Sequence, residues 1–192
     1  QIFPPMRDAM RRMQSKGASR DEVRTFLAQT PNPAGGVTRD HLTAEALEAR
    51  LVDRAAGLGP RLGPYLLQLP PTLRASADRL DACLRAFPRD ARVAVEPRHE
   101  SWWTDEVRSI LERHDAALCW ADRSGRPVTP LWPTAGWGYV RLHEGTASPS
   151  SSYGRTALAS WLDRIDDRWP SARGTDVFVF FNNDRGGAAV RN

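Results

Sequence analysis

From residue 37 onward, short apolar runs alternate with amphipathic stretches, and that alternation restricts the chain to a parallel sheet covered by helices. The runs are Tyr65–Leu69, Val93–Glu96, Ala117–Ala121, Tyr139–His143 and Val177–Phe181. Each is too short for a helix and too apolar for a surface loop, so each predicts a buried strand. Between them lie helical stripes. Leu47, Leu51 and Ala55 form one, and Leu80, Cys83, Leu84 and Phe87 form the next, ended by Pro88. Val107, Ile110 and Leu111 follow Thr104, a predicted N-cap, with Asp105 and Glu106 in the first turn where carboxylates favour the helix dipole. Leu158, Trp161, Leu162, Ile165 and Trp169 make the last stripe, closed by Pro170. Stripes of this kind face a core, so Trp161 and Trp169 are assigned to packing.

The first 36 residues read differently. Ser19-Arg20-Asp21-Glu22 is a capping box before Val23, Phe26 and Leu27, and Met6, Met10 and Met13 predict an earlier short helix. Pro31-Asn32-Pro33-Ala34-Gly35-Gly36 then breaks the pattern. The expected organisation is therefore a helical segment over 1–36 and an α/β portion over 37–192. Asp122 to Pro133 and Glu144 to Ser152, rich in Gly, Pro, Ser and Thr, predict long loops.

Three of the strands end in polar and aromatic side chains. Glu96-Pro97-Arg98-His99-Glu100-Ser101-Trp102 follows the second, Arg141-Leu142-His143-Glu144 ends the fourth, and Asn182-Asn183-Asp184 follows the fifth. Reactive groups at the carboxyl ends of parallel strands are what α/β barrels and open α/β sheets use to build a site. Because side chains alternate along a strand, Val93 and Val95 facing the helices puts Glu96 on the opposite, inner face. The same alternation sends Arg141 and His143 inward and Val140 and Leu142 outward.

A carboxylate, a guanidinium and an imidazole meeting there suit a small anionic or sugar-like molecule and proton transfer. Glu96 and His143 are the candidate catalytic pair, and Arg141 and Arg98 the anion-binding residues. His99, Trp102, Asn182, Asn183 and Asp184 are further candidate ligand contacts, with Gln68 and Asp122, at the ends of other strands, as secondary ones. A structural ion pair between Glu96 and Arg98 or Arg141 is the competing reading. Glu96, His99, His143 and Asp184 have the chemistry of metal ligands but not a close-spaced motif, so no metal is predicted, and no cofactor is named by the sequence.

Composition narrows the partners. The net charge of +4 and pI near 9.7 invite a nucleic-acid reading, but Lys16 is the single lysine and the arginines are spread among Asp and Glu rather than clustered. No run of about 18 uncharged apolar residues occurs and no signal pattern opens the sequence, so a cytoplasmic protein without a membrane partner is expected. Cys83 and Cys119, far apart in apolar patterns, read as small core residues.

Four motifs in order, Leu66-Leu67-Gln68-Leu69-Pro70-Pro71, Val95-Glu96-Pro97-Arg98-His99-Glu100-Ser101-Trp102, Tyr139-Val140-Arg141-Leu142-His143 and Phe181-Asn182-Asn183-Asp184, make residues 40 to 192 resemble the YecE-like family, number seventy-two among the domains of unknown function. The resemblance implies a TIM-type β/α barrel with these motifs at the strand ends and no settled reaction. It also implies a pocket position for Trp102 and for Tyr153, the latter as a lid residue. The family's opening Gly-Thr-Ser-Gly-Trp-type strand and a later Asn-containing strand have no counterpart in residues 1–36, so the barrel is expected to be incomplete in this chain. Hydrolase, lyase or isomerase chemistry leads. The alternatives are a nucleic-acid-binding module and an inactive partner protein that forms an oligomer through open barrel edges.

Overall fold

The computed structural model describes residues 51–148 and 151–192. The chain divides at Gly36/Val37, and all described residues belong to the second unit, so the helices expected within 1–36 lie outside them. Seven strands and five helices follow in order: α1 (Asp53–Ala56), β1 (Tyr65–Gln68), α2 (Ala77–Arg85), β2 (Val93–Glu96), α3 (Asp105–Arg113), β3 (Ala117–Leu118), β4 (Trp120–Arg123), β5 (Arg126–Pro127), β6 (Gly138–Leu142), α4 (Arg155–Arg168), β7 (Val177–Phe181) and α5 (Ala188–Arg191). Thr104 caps α3 as its position predicts, its hydroxyl accepting from the Val107 N–H at 3.3 Å.

The strands pair in two sheets, β1-β2-β3 and β5-β4-β6-β7, all parallel except the β4/β5 hairpin. A single extended stretch, 117–123, serves both: Ala117 and Leu118 pair with β2, and Trp120 to Asp122 pair with β6. Between them the Cys119 N–H donates to the Val95 carbonyl at 2.8 Å. Two threonines supply the hydrogen bonds this change of partner would leave unmade. Thr134 Oγ1 accepts from the Leu118 N–H and donates to the Ala116 carbonyl, while Thr129 Oγ1 accepts from the Ala121 N–H.

The faces sort as the alternation predicts. Outward residues of β1 to β3, including Tyr65, Leu67, Val93, Val95 and Leu118, pack with Leu80, Cys83 and Leu84 of α2 and Val107, Ile110 and Leu111 of α3. Trp120, Val140 and Leu142 pack with Trp161 and Trp169, whose rings belong to this second outer core. Inside the sheet, Ala94, Ala117, Cys119 and Ala121 are small, which leaves room for Tyr139 and Trp137 above them. Four buried indoles each donate to a backbone carbonyl: Trp102 to Leu73, Trp120 to Trp132, Trp137 to Asp115 and Trp169 to Ala135. Both cysteines are buried free thiols, and burial pushes Cys83 up to about 11.

The described residues form a mixed α/β fold with parallel sheets and no closed barrel: β1 and β7 each end a sheet. The predicted loop from Asp122 to Pro133 opens as a tight hairpin, because Ser124 and Gly125 both adopt positive φ (51° and 70°) and so join β4 to β5 in two residues. No helix among the described residues is long and apolar enough to cross a membrane.

Candidate functional site

At the carboxyl ends of β2 and β6 the inner-face side chains meet. Glu96 ends β2 and is 1% exposed. Its Oε1 accepts from Arg98 Nη2 at 3.1 Å and lies 3.3 Å from His143 Nε2, while Oε2 accepts from Arg141 Nη1. Arg141 reaches further along the rim, its Nε donating to Asn182 Oδ1 at 3.0 Å. Gln68 stands in register with Glu96 and, with its amide turned to accept, takes Arg98 Nε at 3.0 Å. Four strands thus contribute to one polar network through residues of a single face: Gln68 from β1, Glu96 and Arg98 from β2 and just beyond it, Arg141 and His143 from β6 and its end, and Asn182 from the end of β7.

Burial alone pushes the Glu96 carboxyl up, but the hydrogen bond from His143 and the charges of Arg141 and Arg98 outweigh it, and the net shift is downward. Glu96 is therefore a carboxylate at neutral pH. Beside it opens a cavity of about 330 Å³ whose walls include Glu96, Arg98, His143, Arg123 and Thr129.

The other candidates stand outside this hydrogen-bond network, although Asp122 also lines the cavity. Asp122 aligns with Leu142 in the β4/β6 register, which places its side chain on the outer face. Its Oδ1 accepts from the Tyr153 hydroxyl at 2.5 Å and from the His143 backbone N–H at 2.9 Å, and Oδ2 is buried with no hydrogen-bond partner among the described residues. Burial raises the Asp122 pKa, with these hydrogen bonds opposing, and burial together with Asp122 raises that of Tyr153. Tyr153, implied as a lid, is 6% exposed, and its oxygen also accepts from the Glu144 N–H at 3.0 Å, so it fastens the 144–153 loop to the sheet.

Asn183 does the same work from β7, donating to the Ser151 carbonyl at 2.6 Å. Asp184 is exposed. His99 turns its Nδ1 back to accept from the Ser101 N–H at 3.1 Å, capping the short helical turn Glu100–Trp102. Trp102, implied as a pocket residue, is 1% exposed, its ring lies in the outer core, and its N–H donates to the Leu73 carbonyl. His99 and Asp184 do not join Glu96 and His143 in any group of three or more metal-ligating side chains among the described residues.

Sequence reasoning missed Arg123, which lines the cavity. The signal was present, since Ala121 and Arg123 continue the inner-face alternation of β4, but the stretch from Asp122 onward reads as loop.

Residues 19–192 match the family described as "Protein of unknown function DUF72". The chain belongs to the DUF72 family. The match starts inside the N-terminal segment that the motifs had set apart from the family. A DUF72 protein of Enterococcus faecalis has a similar fold, with a TM-score of 0.60 and 18% identity over 85% of this chain and 66% of its own. A DUF72 protein of Thermotoga maritima gives 0.60 and 19%, over 89% and 75%. Methionyl-tRNA formyltransferases of two Chloroflexus aurantiacus strains are 30% identical over 122 residues, 57% of this chain and 39% of theirs. The chain thus spans about two fifths of the length of the curated relatives it matches.

Proposed function

We propose that this DUF72 chain is an enzyme-like protein whose strand-end cavity takes a small, polar, anionic or sugar-like molecule, with His143 as the group that transfers a proton. The observation that carries this reading is the buried Glu96 carboxylate held by Arg98, Arg141 and His143 beside an open cavity. With Nε2–H directed at Glu96, a neutral His143 keeps the Nδ1 lone pair as its base, and the adjacent carboxylate stabilises the imidazolium formed on protonation. Glu96, expected from its position to transfer the proton itself, serves better as the fixed anion, because its lowered pKa holds it ionised. Arg141 and Arg98 hold that anion in place, and Gln68 and Asn182 hold the two guanidiniums. Hydrolase, lyase or isomerase chemistry fits a site built for proton transfer and anion recognition. Formyl transfer, the activity in the name of the Chloroflexus relatives, belongs to their whole chains and is not carried over.

The test is a thermal-shift and turnover screen of the full chain against sugars, phosphorylated sugars, carboxylic acids and nucleotides, followed by His143→Asn on any hit. The expected result is retained binding with turnover lowered at least a hundredfold, the usual scale of a lost general base. Unchanged turnover, or stabilisation by none of these ligands, would reduce the network to a structural ion cluster of the kind buried charges form for their own neutralisation.

A further inference from the structure

We infer that the β4/β5 hairpin is an anion-recognition arm of the pocket, and that Arg123 and Arg126 on it take the phosphate group of a small phosphorylated ligand. The inference rests on the reading of the strand-end cavity as a ligand site and names the ligand's chemistry.

Arg123 and Arg126 are paired directly across a two-residue-wide antiparallel ladder. Directly opposed residues share a face, so Arg126 stands on the same face of the hairpin as Arg123, which lines the cavity. Like charges in such a pair weaken the hairpin, and nothing nearby relieves them: neither arginine has a carboxylate within ion-pair distance among the described residues. Asp122 of the same hairpin accepts from Tyr153 and the His143 N–H, and Glu144 accepts from Ser124 Oγ at 3.1 Å, so neither carboxylate is bonded to the arginines.

The hairpin is nonetheless rigidly placed. Besides its tight turn, the Gly125 N–H donates to the Glu144 carbonyl at 3.0 Å and the Val128 N–H to the Ala121 carbonyl at 2.8 Å. A fixed loop presenting two uncompensated guanidiniums is preorganised for an oxyanion and costs little further ordering when one binds.

Charge balance favours a dianion. The cavity walls carry the carboxylates of Glu96 and Asp122 and the guanidiniums of Arg98 and Arg123, with Arg126 paired to Arg123 and Arg141 bonded to Glu96 just beyond them, so with both carboxylates ionised these four guanidiniums keep two positive charges unmatched. A phosphate monoester of charge near −2 matches that surplus, whereas a neutral sugar leaves it untouched and a single carboxylate offsets half of it or less.

The test titrates the full-length protein with inorganic phosphate, acetate and a ten-residue thymidine oligonucleotide, reading the His143 imidazole resonances by NMR and affinity by calorimetry. Arg123→Gln, Arg126→Gln and the double variant follow, with melting temperature recorded as the check on folding. The expected result is saturable phosphate binding that moves the His143 signals, is weaker for acetate, and loses about tenfold with each arginine removed while the melting temperature holds or rises. Phosphate that binds and shifts His143 equally in the double variant overturns the hairpin's role and leaves the pocket reading standing. Phosphate that depends on both arginines but never perturbs His143 sustains the hairpin as an anion site and overturns its link to the pocket. Failure of the wild-type protein to bind phosphate overturns the proposal. So does much tighter binding of the oligonucleotide with a steep salt dependence, which assigns the arginines to a nucleic-acid backbone instead.

Discussion

Replacing Arg141 by Ala would remove one cation from Glu96 and also release Asn182, leaving a carboxylate at 1% exposure with Arg98 and His143 alone. Breaking a buried ion pair from one side is costly, so Arg141→Ala is expected to lose about 3 kcal/mol in urea unfolding. Glu96 also sets a pH signature. Its folded pKa is depressed below the usual 4.5, so its stabilising contribution is full above that value and is lost as pH falls through the lower, folded value. The stability difference between wild type and Glu96→Gln should therefore shrink as pH is lowered below about 4.5, measured by denaturant titration across that window. Asp122 runs the other way. Its folded pKa is raised, so its ionisation costs stability as pH climbs through that value, and the two carboxylates oppose each other in acid. Trp102→Ala should cost about 3–5 kcal/mol as a core deletion, and Trp102→Phe, which keeps most of the ring, should leave ligand affinity unchanged in calorimetry.

At the scale of elements, the two layers of the sheet have different tasks. The inner ends of β2 and β6 carry the polar network, while the outer ends of β4 and β7 fasten the 144–153 loop through Asp122–Tyr153 and Asn183–Ser151. Tyr153→Phe removes a hydroxyl that both donates to a carboxylate and accepts from the Glu144 N–H, and it is expected to cost about 2 kcal/mol with faster hydrogen exchange across 144–153. β6 admits no side chain at its first position. A Cβ on Gly138 would stand 2.9 Å from Val177 and 3.0 Å from the Trp169 ring, so Gly138→Ala should destabilise by about 1–3 kcal/mol through overpacking between β6, β7 and the end of α4, seen as a lower melting temperature.

For the molecule as a whole, an amphipathic alternation of strands and helices with a period-two code was enough to predict which residues face helices and which face inward. Val93, Val95, Val140 and Leu142 lie outside, and Glu96, Arg141 and His143 inside, because a strand buried on one face cannot slip by a residue without exposing its whole apolar set. Five of the described strands were legible for the same reason, and the network of Gln68, Glu96, Arg98, Arg141, His143 and Asn182 gathers residues already singled out. Composition could not separate Asp122 from that network: a carboxylate at a strand end looks alike whether it turns in or out, and the parallel pairing with Leu142 decided that it turns out. Nor could spacing show that Trp102 fills a core behind β1 or that Arg123 and Arg126 stand side by side. Those facts depend on which strand pairs with which and on a two-residue turn. The local sequence sets the period and the polarity of each segment, and only the non-local pairing of strands chooses the neighbours, and hence the chemistry, that each side chain meets.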